Sequence, residues 1–302
     1  MIDASSFRTA SVRTADGFDL GARRYGDART ARAGVLIAPA MGVAQSYYAD
    51  FAAWLAAQGF LVQTFDYRGM GASRPSAFGQ SLRGFEADVR TWAEIDAGAA
   101  LGALEAELGA TDGGGARPVH WLGHSLGGQI LGMLPGAARL RSIVTVGCGS
   151  GYWRDNVPKL RRVAWLLWYL VVPVSLRLAG YFPGRRLRKV GDLPAGVMAQ
   201  WRRWCLSPDY MMGEGGTALR ARYATIRAPM LSLSFTDDEF MSARNIDSLH
   251  GFYSGAARDM RRVAPTDIGA RAIGHFGFFR ARFQASLWPQ VAQFLASTPA
   301  AA

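Results

Sequence analysis

The pentad Gly123-His124-Ser125-Leu126-Gly127 places a serine between two apolar runs, "VHWL" before it and "QILGML" shortly after. If the first run is a strand and the second opens a helix, the turn between them leaves no room for side chains beside the serine. Glycines two residues away on each side relieve that clash. The hydroxyl then stands at the C-terminal end of the strand, and the free backbone N–H groups of the new helix point at whatever it attacks, the amide of Leu126 first. Such a serine can perform acyl transfer, but a hydroxyl is a poor nucleophile at its own pKa and needs a base held in place by an acid. The residue types for both are present: His120, His124, His250 and His275, and the carboxylates Asp237, Asp238 and Glu239 of "TDDEF".

The elements that must position these groups follow from periodicity. Two short strands, around residues 10–14 and 18–25, are joined by the turn "ADG" as an antiparallel hairpin. "AGVLIAPA" (33–40) is an unbroken apolar run of strand length, as expected for a parallel strand covered on both faces. Tyr47, Tyr48, Phe51, Trp54 and Leu55 then fall at helical spacing with Gly59 at the C-cap, and "FLVQTFDYRG" supplies another strand. Residues 82–108 read as helix, and "GATDGGGARP" breaks the chain before the strand that ends in the serine turn. "SIVTVGCG" and "PMLSLSF" are two more buried strands, and "DMRRVAP" a weaker last one. Leu287, Trp288, Val291, Phe294 and Leu295 share one face of a closing helix. Strands alternating with helices imply a mostly parallel sheet with helices on both faces.

Composition bounds the function classes. The chain has 302 residues, half of them hydrophobic, enough for a sizeable core. A formal net charge of +11 can mean an acidic partner, but the cations are arginine apart from Lys159 and Lys189, and alanine and glycine abound. That pattern matches coding bias, so no nucleic-acid partner is expected. Cys148 and Cys205 fit no metal or redox spacing and read as free thiols. The N-terminal stretch lacks the regions of a signal peptide, from which a cytoplasmic location is expected. "DYRGMGAS" has no Lys-Ser/Thr pair and reads as a structural turn beside the site, not a phosphate loop.

With "PAMGV", "FDYRGMGAS", "GHSLGG", "GYFPGRRL" and "IGHFGFF", the chain resembles the α/β-hydrolases over nearly its whole length. Within them it is similar to bacterial hydrolases related to serine aminopeptidase-like and monoacylglycerol-lipase-like enzymes. The resemblance implies an α/β-hydrolase fold, the chain order Ser, acid, His, and no metal or organic cofactor. On that order only His250 and His275 follow the serine at a workable distance. His275 lies in a glycine-flanked loop before the last helix and is the expected base, whereas His250 ends a helix and reads as structural. His120, inside a strand, and His124, in the elbow, are too constrained to swing to Ser125. The acid belongs just past "PMLSLSF", where such hydrolases often carry Gly-x-x-Asp. That register selects Asp238 with Asp237 in reserve, although Phe235 stands where the glycine would be. Adjacent carboxylates repel, so only one is expected to face the base and the others solvent. Where many relatives have His-Gly after the first central strand, this chain has "APAMGV", which makes the amide of Met41 the expected second oxyanion donor and leaves Ala40 and Gly42 open.

Between Gly149 and Met230 the alternation stops, and a structureless loop of that length is uncommon in a compact domain. A helical cap over residues 150–225 is expected, with residues 1–149 and 226–302 forming the core. Inside it "VAWLLWYLVVPV" (163–174) is apolar on every side and must be covered by protein or lipid. It is shorter than the roughly 20 residues that cross a bilayer, and Pro173 and Arg177 are expected to interrupt it. Lys159, Arg161, Arg162, Arg177, Arg185, Arg186, Arg188 and Lys189 surround it. A lid packed over the serine is the expected state, a peripheral contact with an anionic membrane the alternative. Trp165, Trp168, Tyr169, Trp201 and Met211 are the expected apolar lining, although packing within the cap explains them equally well.

The sequence thus points to a serine hydrolase acting on a small-molecule ester or thioester with an apolar acyl group, through Ser125, His275 and Asp238. The same triad serves acyl transfer, carbon–carbon bond hydrolysis and aminopeptidase action. A lipid-binding module on a hydrolase scaffold is the alternative from another class. Oligomeric state is left open.

Overall fold

The apolar run at 33–40 enters the centre of the protein as strand β3 (Ala33–Ala38), every residue of it buried. The computed structural model describes residues 7–109, 115–187 and 190–297. Residues 110–114, half of the expected loop 109–118, the start of the N-terminal stretch, and Arg188 and Lys189 of the expected cap lie outside the described residues. Ahead of β3 stand β1 (Arg8–Arg13) and β2 (Asp19–Tyr25), paired antiparallel as a hairpin. After it come β4 (Phe60–Phe65), β5 (Val119–His124), β6 (Ile143–Val146), β7 (Tyr181–Phe182), β8 (Leu193–Pro194), β9 (Met230–Phe235) and β10 (Arg258–Val263). Eight of these form one sheet in the order β1-β2-β4-β3-β5-β6-β9-β10, parallel from β4 onward, while β7 and β8 make a separate ribbon. This is the mostly parallel sheet of an α/β-hydrolase fold.

The two faces of the sheet carry two cores. Along β3, Val35 and Ile37 point into a cluster with Phe51, Phe279, Trp288 and Val291, whereas Leu36 and Ala38 point into another with Trp92, Leu101 and Leu126. The alternation is the period of two of a strand, and it explains why a strand between two helical layers is apolar throughout. Helix Ala49–Ala57 and the closing helix Trp288–Ser297 cover the first face, where the Phe51 and Trp288 rings meet edge-on at 5.2 Å. Deleting either ring leaves a cavity worth roughly 3–5 kcal/mol.

The helix expected over 82–108 begins only at Val89. Gly84 takes a positive φ of 79° and Asp88 caps the first turn, its carboxylate accepting the N–H of Thr91 at 2.7 Å. From there the run is helical through Val89–Thr91, a π turn at Trp92–Asp96 and Ala97–Leu108.

Between β6 and β9 the described residues form a 3-10 turn at Trp153–Asp155, the helical segments Pro158–Ala179, Ala195–Leu206 and Met212–Ala224, and the β7–β8 ribbon. Contrary to the sequence expectation, Pro173 does not end the first of them. A π turn at Leu167–Val171 precedes the proline, and the Trp168 carbonyl is taken by Arg202 Nε. The two features together accommodate a proline ring that would otherwise break the ladder.

Candidate active site

Parallel pairing of β5 with β3 and β6 carries Ser125 to the C-terminal edge of the sheet, where its own N–H bonds the Val146 carbonyl at 3.0 Å. Ser125 has φ 50° and ψ −109°, a region a residue with a Cβ enters only when its surroundings force it there. The neighbouring glycines make that turn sterically feasible. A Cβ on Gly123 would stand 2.4 Å from the Gly128 nitrogen, and one on Gly127 would stand 2.2 Å from the Ala38 oxygen. The helix that follows is short, Leu126–Gln129, and the N–H groups of Gly128 and Gln129 turn back to the Ser125 carbonyl. Neither the N–H of Leu126 nor that of Met41 has a hydrogen-bond acceptor among the described residues, whereas the N–H of Ala40 donates to Tyr48 Oη at 2.9 Å. Of the loop amides left open by the sequence, Ala40 is therefore occupied, and Met41 and Gly42 are available.

Asp238 and His275 meet at the same edge. Asp238 Oδ2 lies 2.7 Å from His275 Nδ1, and its other oxygen accepts the N–H groups of Phe240 and Met241 at 2.8 and 2.9 Å. Both side chains are buried. A carboxylate only accepts, so Nδ1 carries a proton, and in the neutral ring that leaves the lone pair on Nε2. Among the described residues Nε2 makes no hydrogen bond, to Ser125 Oγ or to any other atom. Catalytic contacts are commonly loose before substrate closes them. Gly147, with φ 59°, lets the backbone pass against the ring: a Cβ there would lie 3.3 Å from Nδ1.

The other two carboxylates of the triplet do not simply face solvent, a correction to the sequence reading. Asp237 Oδ2 accepts the N–H groups of Ile273 and Gly274 at 2.8 and 3.1 Å, and Glu239 Oε2 accepts that of His275 at 2.9 Å. Repulsion among the three is relieved because each has its own donors on the loop that carries the imidazole.

Sequence reasoning also missed the groups behind the base. His124 is fully buried, and burial holds its pKa well below the usual value, so it is neutral. Its Nε2 lies 3.2 Å from the His275 carbonyl and its Nδ1 3.0 Å from Tyr48 Oη. A carbonyl only accepts, so Nε2 carries the proton, Tyr48 donates to Nδ1, and the Tyr48 oxygen receives the Ala40 N–H. Tyr47 Oη donates to the Phe276 carbonyl of the same loop. The signal was present as a histidine adjacent to the serine and a tyrosine pair after "PAMGV", but periodicity alone makes such residues core. His120 and His250 are occupied elsewhere, by Ser142 Oγ at 2.8 Å and by Thr145 Oγ1 at 2.9 Å.

The expected lining is divided. Trp168 is buried and meets Trp201 edge-on at 5.2 Å. Trp201 Nε1 donates to Tyr210 Oη at 3.0 Å, and that hydroxyl donates to Gln129 Oε1 at 2.7 Å, so these cap residues are tied to the helix that begins at the serine. Met211 is buried against Tyr223, whose hydroxyl approaches its sulfur at 2.9 Å. Trp165 and Tyr169, by contrast, are 53% and 56% exposed on the solvent side of the helix Pro158–Ala179, which corrects their assignment to the lining. They flank the inward face formed by Ala164, Trp168 and Val172 on its solvent side. Among the described residues no cluster of three His, Cys, Asp or Glu could hold a metal.

Residues 29–263 match the family described as Serine aminopeptidase, S33. No curated protein matches the chain in sequence. Among solved structures, the chain is similar to a soluble variant of monoglyceride lipase from Saccharomyces cerevisiae, at 12% identity and a TM-score of 0.71, covering 100% of this chain and 98% of that one. A thermostable carboxyl esterase from Bacillus coagulans aligns at 13% identity and a TM-score of 0.66, over 97% of this chain and 99% of that one. An esterase from Pyrococcus furiosus aligns at 12% identity and a TM-score of 0.57, over 97% and 91%. At such identities the likeness is one of fold.

Proposed function

The chain belongs to the serine aminopeptidase (S33) family of α/β-hydrolases, and on that premise we propose that it is a serine hydrolase cleaving a carboxylic ester or thioester with an apolar acyl group. The observation that carries the reading is the buried 2.7 Å contact between His275 Nδ1 and Asp238 Oδ2, set at the edge of the sheet where the strained Ser125 turn emerges. Ser125 Oγ attacks the acyl carbon while His275 Nε2 takes its proton. The amides of Leu126 and Met41 hold the oxyanion, and removal of one such donor typically costs on the order of 10²–10³ in kcat. The imidazolium then returns the proton to the leaving group, and water activated by the same nitrogen releases the acid.

An ester is favoured over a peptide N-terminus by the charges of the cap. An aminopeptidase must receive a substrate ammonium, for which an unpaired carboxylate near the serine is the natural partner. Every acid of residues 150–225 is already paired with an arginine: Asp155 with Arg244, Asp192 with Arg74, Asp209 with Arg220 and Glu214 with Arg203. The buried Trp168 and the half-buried Trp201 offer an apolar surface instead.

The test is a panel of p-nitrophenyl esters and acyl-CoA thioesters of graded chain length beside aminoacyl p-nitroanilides. The expected outcome is that kcat/KM rises about fourfold per added methylene over the first several carbons, each being worth roughly 0.8 kcal/mol when it leaves water. Turnover should vanish in Ser125→Ala. Faster cleavage of the anilides, or turnover independent of acyl length, overturns the reading.

A further inference from the structure

The helix Pro158–Ala179 turns an apolar face outward. Its inner residues Ala164, Trp168 and Val172 are buried, yet Trp165, Leu166, Tyr169, Leu170, Val174 and Leu178 are exposed, Leu178 by 70%. Among the described residues it is the one helix long and apolar enough to cross a membrane, its most apolar 18-residue stretch having a mean hydropathy of 1.4 with only 17% of that stretch buried. It does not stand free as a spanning segment would. Its inner side is fastened by the Trp168–Trp201 contact and by Arg202 Nε on the Trp168 carbonyl, and from Ala179 the chain runs directly into the β7–β8 ribbon on the same body.

Charge distinguishes what can cover this face. From Asn156 to Gly191 the sequence contains neither aspartate nor glutamate. Lys159, Arg161 and Arg162 at the N-terminal end, Arg177 near the C-terminal end, and Arg185 and Arg186 just beyond are all exposed. The carboxylates nearest in sequence are spent on other arginines, Asp155 on Arg244 and Asp192 on Arg74. A second copy of the chain laid against this face would bring the same cations together and be repelled, whereas an apolar centre rimmed by cations that have no acidic partner among the described residues matches the acyl layer and the phosphates of an anionic bilayer. We propose that this helix docks the protein on anionic phospholipid surfaces, lying in the plane of the interface with Leu170, Val174 and Leu178 inserted and the cations at headgroup level. On the inner side of this helix Trp168 connects through Trp201, Tyr210 and Gln129 to the helix that follows Ser125, so the docking face and the serine belong to one packed unit.

The experiment is sedimentation of the full chain with phosphatidylcholine vesicles and with vesicles containing about 30 mol% phosphatidylglycerol. The wild type should bind the second far better than the first and lose binding as salt rises, each cation near such a surface being worth about fivefold in partitioning. Leu170→Asp with Leu178→Asp should weaken binding at least tenfold. Arg161→Glu with Arg162→Glu should abolish the preference for phosphatidylglycerol. Both variants change exposed side chains and should melt within a few degrees of the wild type. The salt titration of the wild type tests the charge rim without any variant. Equal binding to both vesicles, no binding, or a concentration-dependent dimer in light scattering that Leu170→Asp with Leu178→Asp dissolves would each overturn the proposal. None of these readouts depends on turnover.

Discussion

Tyr48 Oη stands 3.0 Å from His124 Nδ1 and receives the N–H of Ala40 at 2.9 Å, so one hydrogen-bonded chain joins the loop after β3 to the carbonyl of His275. Burial raises the tyrosine pKa well above its usual value and keeps the hydroxyl protonated, which preserves the direction of the chain. Tyr48→Phe should therefore lower stability by about 1–3 kcal/mol, the cost of leaving buried partners unpaired. It should also lower kcat several-fold with KM little changed, because both loops relax around an intact triad. Thermal melts and steady-state kinetics on one preparation check this. Unchanged kcat alongside reduced stability would make Tyr48 a residue of the core alone.

The acidic triplet predicts a ranking. Asp238→Asn replaces an acceptor with an amide that disfavours the proton on Nδ1, and the loss of kcat should be on the order of 10⁴. Asp237→Asn keeps an oxygen able to accept the N–H groups of Ile273 and Gly274 and should cost little, whereas Asp237→Ala frees that loop and should lower kcat roughly tenfold. Kinetics of the three variants decide it, and the reverse order of the two Asn variants would move the acid to Asp237.

Acid should destabilise the protein in a defined window. Burial lowers the pKa of His120 and of His250 to about 4, against an ordinary value of 6.5. The unfolded chain gains protons first as pH falls, so the stability of the neutral buried rings is full above pH 6.5 and lost on the way down to 4. By pH 4 the loss is roughly 3 kcal/mol for each ring, at about 1.4 kcal/mol per unit. The melting temperature should climb from pH 4 to 6.5 and flatten above. His250→Asn should shallow the climb, and a pH-independent melting temperature would count against the assignment.

The elbow predicts its own fragility. Gly127→Ala puts a Cβ 2.2 Å from the Ala38 oxygen, a backbone atom of β3 that cannot rotate away. The turn must open, moving Ser125 and the Leu126 amide together. Activity should fall at least 10²-fold with a loss of stability of about 1–3 kcal/mol. Wild-type turnover in Gly127→Ala would show that the serine turn tolerates a different shape.

What the sequence by itself determined is local in its physics. Apolar runs of strand length became β3, β5 and β9 because a strand covered on both faces has no polar position to offer. Glycines two residues either side of Ser125 announced its turn because no other residue fits there. The acid was narrowed to three adjacent carboxylates, and the contact of Asp238 with His275 joins the residues that the resemblance to the hydrolases had selected, with Asp237 in reserve. Tertiary structure decided the rest. That Asp237 and Glu239 hold the loop of the base, that His124 faces the His275 carbonyl and that Ala40 spends its N–H on Tyr48 all depend on segments far apart in the chain, whose approach no periodicity encodes. The cap shows the same division. Composition required the run from 163 to 174 to be covered by protein or lipid, but it could not distinguish the side that packs on Trp201 from the side that carries Leu166 and Leu170. That was fixed only when a π turn carried the helix through Pro173 and Arg202 took the Trp168 carbonyl.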